Sequence, residues 1–214
     1  DRIILWLSKS EFPVNYSVPQ SLKRLEKRGL EIKWVNENLK PHKKYFYSFE
    51  EYPNSDIITV DDDEYYPLNL IENFVKYHKL YPDSIIATRA RKIVFENGKI
   101  TNYNSFENIV GFHEPNKDVI AIGCGGIFYP QGSLSKEIFV RKNILDMALE
   151  ADDLWLKFAN ANQTPVMCIA NVYRNLYFLP IYSVLRTSKL SHLNISNSNN
   201  DKVIRDLTHY NSNK

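Results

Sequence analysis

The first apolar run of the chain, from Arg2 through Ile3-Ile4-Leu5-Trp6 to Leu7, has no polar positions alternating with the apolar ones. A run of that length and kind suits a strand buried on both faces, the usual state of a strand in a parallel sheet. Pro19 to Arg28 then places Leu22 and Leu25 at helical spacing, with Gly29 where a helix C-cap belongs. Glu31 to Val35 returns as a strand. Strand, helix and strand within about 35 residues predict a right-handed crossover and a parallel pair.

The rhythm continues. Lys44 to Tyr52 reads as a helix closed by Pro53, and Ile57-Ile58-Thr59-Val60 as a short buried strand halted by Asp61-Asp62-Asp63. Pro67 to Tyr81 reads as a helix with Ile71, Phe74, Val75 and His78 on its inner face. Ser84 to Thr88 is the next strand. Asn97-Gly98 between two strand-like runs marks a hairpin. A strand at Val119 to Ile122 precedes a glycine cluster. Helices at Lys142 to Leu149 and Asp152 to Ala161 and a strand at Val166 to Ala170 follow. The Asn- and Ser-rich stretch 191–214 reads as a partly flexible tail, with a short helix at Val203 to Leu207. This alternation predicts one α/β domain over 1–214: a layered fold with a mostly parallel central sheet flanked by helices, plus a small antiparallel hairpin. The chain opens inside a core strand, so the sequence is expected to begin part-way into a longer protein and to leave an unpaired sheet edge open to oligomerisation.

Composition narrows the function classes. Lys and Arg number 27 against 25 Asp and Glu, a formal charge of +2. So even a balance argues against a nucleic-acid partner and against strong electrostatic attachment to an acidic membrane. No apolar run reaches the roughly 18 to 20 residues of a membrane helix. Cys124 and Cys168 are too few for a disulfide framework, which suits a cytoplasmic protein. Glycine is scarce, with seven in 214 residues, yet Gly123, Gly125, Gly126 and Gly132 fall within ten positions. Concentration in a chain that otherwise avoids glycine points to unusual backbone angles or close backbone approach there.

Three segments can carry chemistry. Asp61, Asp62 and Asp63 follow a buried strand, where like charges repel and a divalent cation would relieve them. Asp61 and Asp63, at i and i+2 of an extended segment, would face the same way, and oxygen donors suit Mg²⁺ or Mn²⁺ beside a phosphate. The alternative is a solvated acidic turn. The second segment, Ile122-Gly-Cys-Gly-Gly-Ile-Phe-Tyr-Pro130, has neither dinucleotide nor P-loop spacing. It reads as a backbone wall for a flat ligand such as a sugar ring, or as a tight turn with a bulge. In the third, Glu150-Ala-Asp152-Asp153-Leu-Trp155, the acids either favour a helix N-terminus or include a general base. Trp155 either stacks on a sugar or packs in the core. His42, His113, His192 and His209 are scattered and read as structural, and Cys124 has no histidine neighbour in sequence to activate it.

Together, Asp56-Ile-Ile-Thr-Val-Asp-Asp-Asp63 with Tyr66-Pro67, Ile122 to Pro130, and Ala151-Asp-Asp-Leu-Trp155 resemble bacterial GT-A-fold glycosyltransferases of capsular and cell-surface polysaccharide synthesis. The resemblance runs from about Asp1 to about Asp201. It implies a metal-dependent hexosyltransferase that moves a sugar from a nucleoside-diphosphate sugar to a saccharide or lipid-linked saccharide acceptor, with inversion, in the cytoplasm or at the inner membrane face. Asp61 and Asp63 match the DXD pair holding Mn²⁺ or Mg²⁺, with Asp62 between them facing the donor. Lys44 matches a lysine near the donor diphosphate, and Gly125, Gly126 and Trp155 match the frame of the sugar. Asp153, in preference to Asp152, matches the catalytic base. Two other classes use similar residues: a metal-dependent nucleotidyltransferase and a non-catalytic carbohydrate- or nucleotide-binding module.

Overall fold

The computed structural model describes residues 1–12, 17–170 and 199–212. The opening unit forms as its pattern predicts. β1 (Ile3–Ser8) pairs in parallel with β2 (Leu30–Val35), and α1 (Gln20–Glu26) lies between them in sequence. Gly29 follows that helix at φ +104°, a left-handed angle open to glycine. The two strands form a sheet of their own, and only Ser8 of β1 is buried. The uninterrupted apolar run is therefore not covered on both faces by the described residues.

α2 (Lys43–Glu51), β3 (Ile57–Thr59), α3 (Leu70–Leu80) and β4 (Ile85–Ala87) keep the alternation of strand and helix. It then breaks. β5 (Ala90–Lys92), β6 (Phe95–Glu96), β7 (Lys99–Ile100), β8 (Glu107–Asn108), β9 (Phe112–Asn116), β10 (Val119–Ala121) and β11 (Ile127–Tyr129) follow with only short 3₁₀ turns among them. α4 (Arg141–Met147), α5 (Asp152–Phe158), β12 (Val166–Ile169) and α6 (Asn199–Ser212) complete the described chain.

That break overturns the expected mostly parallel sheet. The main sheet has the order β3-β11-β4-β12-β9, and only β4 and β12 run parallel. A second sheet, β10-β5-β8, and the β6–β7 hairpin are antiparallel throughout. The fold is thus mixed α/β with mostly antiparallel pairing in several sheets. Parallel neighbours need a crossover of a dozen or more residues, usually a helix, whereas short loops join antiparallel ones. Between β4 and β11 no α-helix is supplied for that purpose, and β11 returns between β3 and β4. The apolar runs misled because they report burial and not direction. Ile85, Ala87, Ile127, Tyr129, Val166 and Cys168 face the larger core, while Ile86, Phe128, Met167 and Ile169 face α3.

Two local expectations shift. α3 buries Leu70 and Phe74, with Tyr77 and Tyr81 packed beside them, and leaves Ile71 and Val75 exposed. The last part of the described chain is a 14-residue helix, α6, with Val203, Ile204 and Leu207 buried, so the expected short helix is longer and docked. His192 and the rest of the expected tail from 191 to 198 lie outside the described residues. The Asn97-Gly98 hairpin forms as expected, both residues having positive φ, +51° and +75°. Cys124 and Cys168 are both free thiols.

Candidate active site

α2 and α5 present their first turns toward the same place. His42, just before α2, is fully buried; its Nε2 donates to the Ala148 carbonyl at 2.8 Å, and its Nδ1 accepts from the Tyr45 hydroxyl at 2.7 Å. Burial lowers its pKa, against the pull of Asp152, which suits a neutral ring in this tautomer. This link anchors the start of α2 to the segment leading into α5, and so places Lys44 opposite Asp152.

The Lys44 ammonium is 3.0 Å from Asp61 Oδ1 and 2.9 Å from Asp152 Oδ2. The first contact is a hydrogen bond, while the second is an ion pair without hydrogen-bond alignment. Burial acts to lower the Lys44 pKa, but Asp152, Asp61 and Asp153 outweigh it and hold it well above the usual lysine value. Burial raises the pKa of Asp152, and the Lys44 charge beside it more than reverses that. Its neighbour behaves oppositely. Asp153, half-buried, has its pKa pushed up to about 8 by burial and by the charge of Asp152, against Lys44 and the Gly123 N–H, which donates to Asp153 Oδ1 at 3.0 Å. Two adjacent carboxylates with pKa values driven apart are a recurrent arrangement of acid–base sites.

The glycine cluster accounts for the closeness. A side chain at Gly123 would place its Cβ 2.5 Å from Lys44 Nζ and 3.1 Å from Asp153 Oδ1. At Gly125 it would meet Thr88 Oγ1 at 2.5 Å and Arg89 Cγ at 2.7 Å. Gly126 has φ +88°. Both Gly125 and Gly126 are buried against the chain's own residues. The cluster thus brings backbone up to Lys44, Asp153 and Thr88.

Of the sequence-derived site residues, Lys44, Asp61, Asp152 and Asp153 are brought together. Asp62 and Asp63 lie in the turn after β3, where the two-residue alternation of an extended segment no longer applies. Asp62 is exposed and Asp63 half-buried. Trp155 is corrected: it has no exposed surface, and its Nε1 donates to the Ile138 carbonyl at 3.0 Å, so it packs in the core and does not frame a ligand. Asp152 is the ion-pair partner of Lys44.

Two contributors have no role assigned from the sequence, although Tyr66 stands in one of the motifs quoted above. The Tyr66 hydroxyl accepts from the Asp61 N–H at 2.8 Å and donates to the Cys124 carbonyl at 2.9 Å, tying the aspartate turn to the glycine loop. Its position just after the acidic cluster was the available signal. Arg89, exposed at the end of β4, donates to Cys124 Sγ at 3.0 Å and carried no signal.

Whether these residues suit a divalent ion follows from their chemistry. Among the described residues no three His, Cys, Asp or Glu side chains are grouped to enclose a metal. Asp61 and Asp63 offer only oxygen, and Asp61 commits Oδ1 to Lys44. Oxygen donors of this kind suit an ion like Mg²⁺, which binds through as few as one or two carboxylates and takes its remaining ligands from water and phosphate.

No protein-family model matches the sequence, and no curated protein matches it. No helix among the described residues is long and apolar enough to cross a membrane.

Proposed function

We propose that the chain transfers a glycosyl group from a nucleoside-diphosphate sugar to a saccharide acceptor with inversion. The observation that carries this reading is the meeting of three distant segments around Lys44: Asp61 and Asp152 on its ammonium, and Asp153 beside them on the Gly123 N–H. Such a cluster combines a fixed cation, suited to an anionic leaving group, with a carboxylate whose affinity for protons is raised. The sheet lends no support to this reading; the site does.

Asp153 takes the proton from the attacking acceptor hydroxyl. A base works best with a pKa near the working pH, and about 8 is close to that. Asp152 stays ionised on Lys44 and, through its charge, keeps Asp153 basic. Lys44 holds Asp61 in place and supplies positive charge beside the departing diphosphate. Tyr66 keeps the aspartate turn in register with the glycine loop. Asp61 and Asp63 would hold Mg²⁺ or Mn²⁺, which would supply further positive charge for the departing diphosphate.

The test is product analysis on wild-type protein and Asp153→Asn, with a panel of nucleotide sugars and saccharide acceptors. A glycoside of inverted configuration and a nucleoside diphosphate are expected from the wild type only. Release of pyrophosphate would point to a nucleotidyltransferase instead. Retained configuration would overturn single displacement, and wild-type turnover by Asp153→Asn would overturn the base.

A further inference from the structure

A groove of about 410 Å³ opens along α5, within the range of about 300–1,000 Å³ usual for small-molecule sites. Its apolar wall is Phe95 and Ile100 of the hairpin with Phe158 of α5. Lys117, Lys157 and Gln163 supply polar groups, and Asp118 stands among them, so two lysines face one aspartate. Phe95 is 47% exposed, a large aromatic ring open to solvent at the groove wall.

The groove is joined to the site described above by α5 itself. Lys157 follows Asp153 by four residues, so the two occupy neighbouring positions on one helix face, with Cβ atoms about 5–6 Å apart. Lys157 and Gln163 also line a smaller cavity of about 20 Å³ whose wall includes Asp153, room for about one water. Lys157 and Gln163 therefore stand between the groove and the cavity that Asp153 lines.

Lys157 is unusual for a surface-helix lysine. Its side chain is half-buried and its Nζ donates to the Lys117 carbonyl oxygen. Burial draws its pKa down to about 8, with Asp118 opposing. An ammonium short of hydration gains more from an anionic partner than a fully solvated one does.

We infer that the groove is the acceptor subsite and that it takes an acidic sugar, the ring lying on Phe95 and Ile100 and the carboxylate on Lys157. An aromatic wall recognises the apolar face of a sugar ring, and a partly desolvated lysine recognises a carboxylate. The inference rests on the reading of Asp153 as the transferase base.

The experiment is an amide chemical-shift titration of the whole chain with D-glucuronate, D-glucose, acetate and, separately, UDP with Mg²⁺. It is repeated on Phe95→Ala and Lys157→Met, with the amide spectrum itself reporting that each variant is folded. Glucuronate is expected to shift amides of residues 93–100 and 157–163, and glucose and acetate to bind about fivefold more weakly or worse. Either substitution is expected to weaken glucuronate about fivefold while UDP still shifts residues around Lys44. UDP binding with a silent groove, equal response to acetate, or unchanged binding by Lys157→Met would overturn the acceptor subsite alone. A chain that binds neither UDP nor glucuronate would overturn the transferase reading together with it.

Discussion

The Lys44 ammonium lies 2.9 Å from Asp152 Oδ2, and that single pair sorts two adjacent aspartates into different roles. Asp152 spends its charge on Lys44 and is held ionised. Asp153, one residue on, accepts from a backbone N–H, and burial together with the repulsion of its neighbour raises its pKa. Chain neighbours at the start of one short helix thus have their pKa values driven in opposite directions.

Removing the cation should expose that arrangement. Lys44→Met leaves Asp61 and Asp152 facing each other without a counter-charge, and loss of about 3 kcal/mol in urea unfolding is expected, the low end for breaking a buried pair. Adding Asp152→Asn to Lys44→Met should restore part of that loss. Strict additivity of the two changes would show that the pair is not coupled.

Activity should follow the ionisation of Asp153. A base must be unprotonated to act, so kcat/KM is expected to rise with pH and level off above about 8. A profile already flat from pH 5 would assign the base elsewhere.

Stability should carry the opposite sign. An unfolded aspartate has a pKa of about 3.9, and in the folded chain Asp153 has one of about 8. Between those values the folded state binds the proton more tightly, so this group's contribution to stability is lost as pH rises through the window. Asp153→Asn removes that loss. Thermal unfolding from pH 5 to 9 should show the variant gaining on the wild type as pH rises, by about 10 °C, since roughly three pH units correspond to about 4 kcal/mol at about 2–4 °C per kcal/mol for a chain of this size.

Tyr66→Phe deletes the hydroxyl shared by the Asp61 N–H and the Cys124 carbonyl. Leaving both groups without this partner is expected to cost about 1–3 kcal/mol. It should also weaken UDP binding, because the aspartate turn loses its tie to the glycine loop. Calorimetry with UDP and Mg²⁺ checks this; unchanged affinity would confine Tyr66 to stability.

Gly123→Ala puts a methyl group 2.5 Å from Lys44 Nζ. Either Lys44 or the loop must move, at about 1–3 kcal/mol for overpacking. Because Lys44 is held from two sides, donor binding should fall with stability.

Local order along this chain is set by short-range chemistry, which is why much of it is legible. Gly29 ends α1 because it accepts a left-handed angle, and Asn97-Gly98 turns the hairpin for the same reason. The crossover between β1 and β2 follows from strand, helix and strand in close succession. Even the three chemical segments stand out, as runs of one residue type that an ordinary surface or core does not call for.

Strand direction and side-chain partnership were decided elsewhere. The apolar runs at β4, β11 and β12 state that both faces are buried, which is true of parallel and mixed sheets alike. Only the tertiary path, with β11 returning between β3 and β4, makes the pairing mostly antiparallel. Trp155 shows the same division: its identity suits a sugar or a core, and the position of Ile138 against its indole N–H makes it core. The sequence by itself determined which segments hold charge, turn or burial, since those depend on residues a few positions apart. That Lys44, Asp61 and Asp152 share one ion-pair cluster depends on contacts between residues 17 and more than 90 positions apart, and only the packing of α2 against α5 and the β3 turn could bring them within 3 Å.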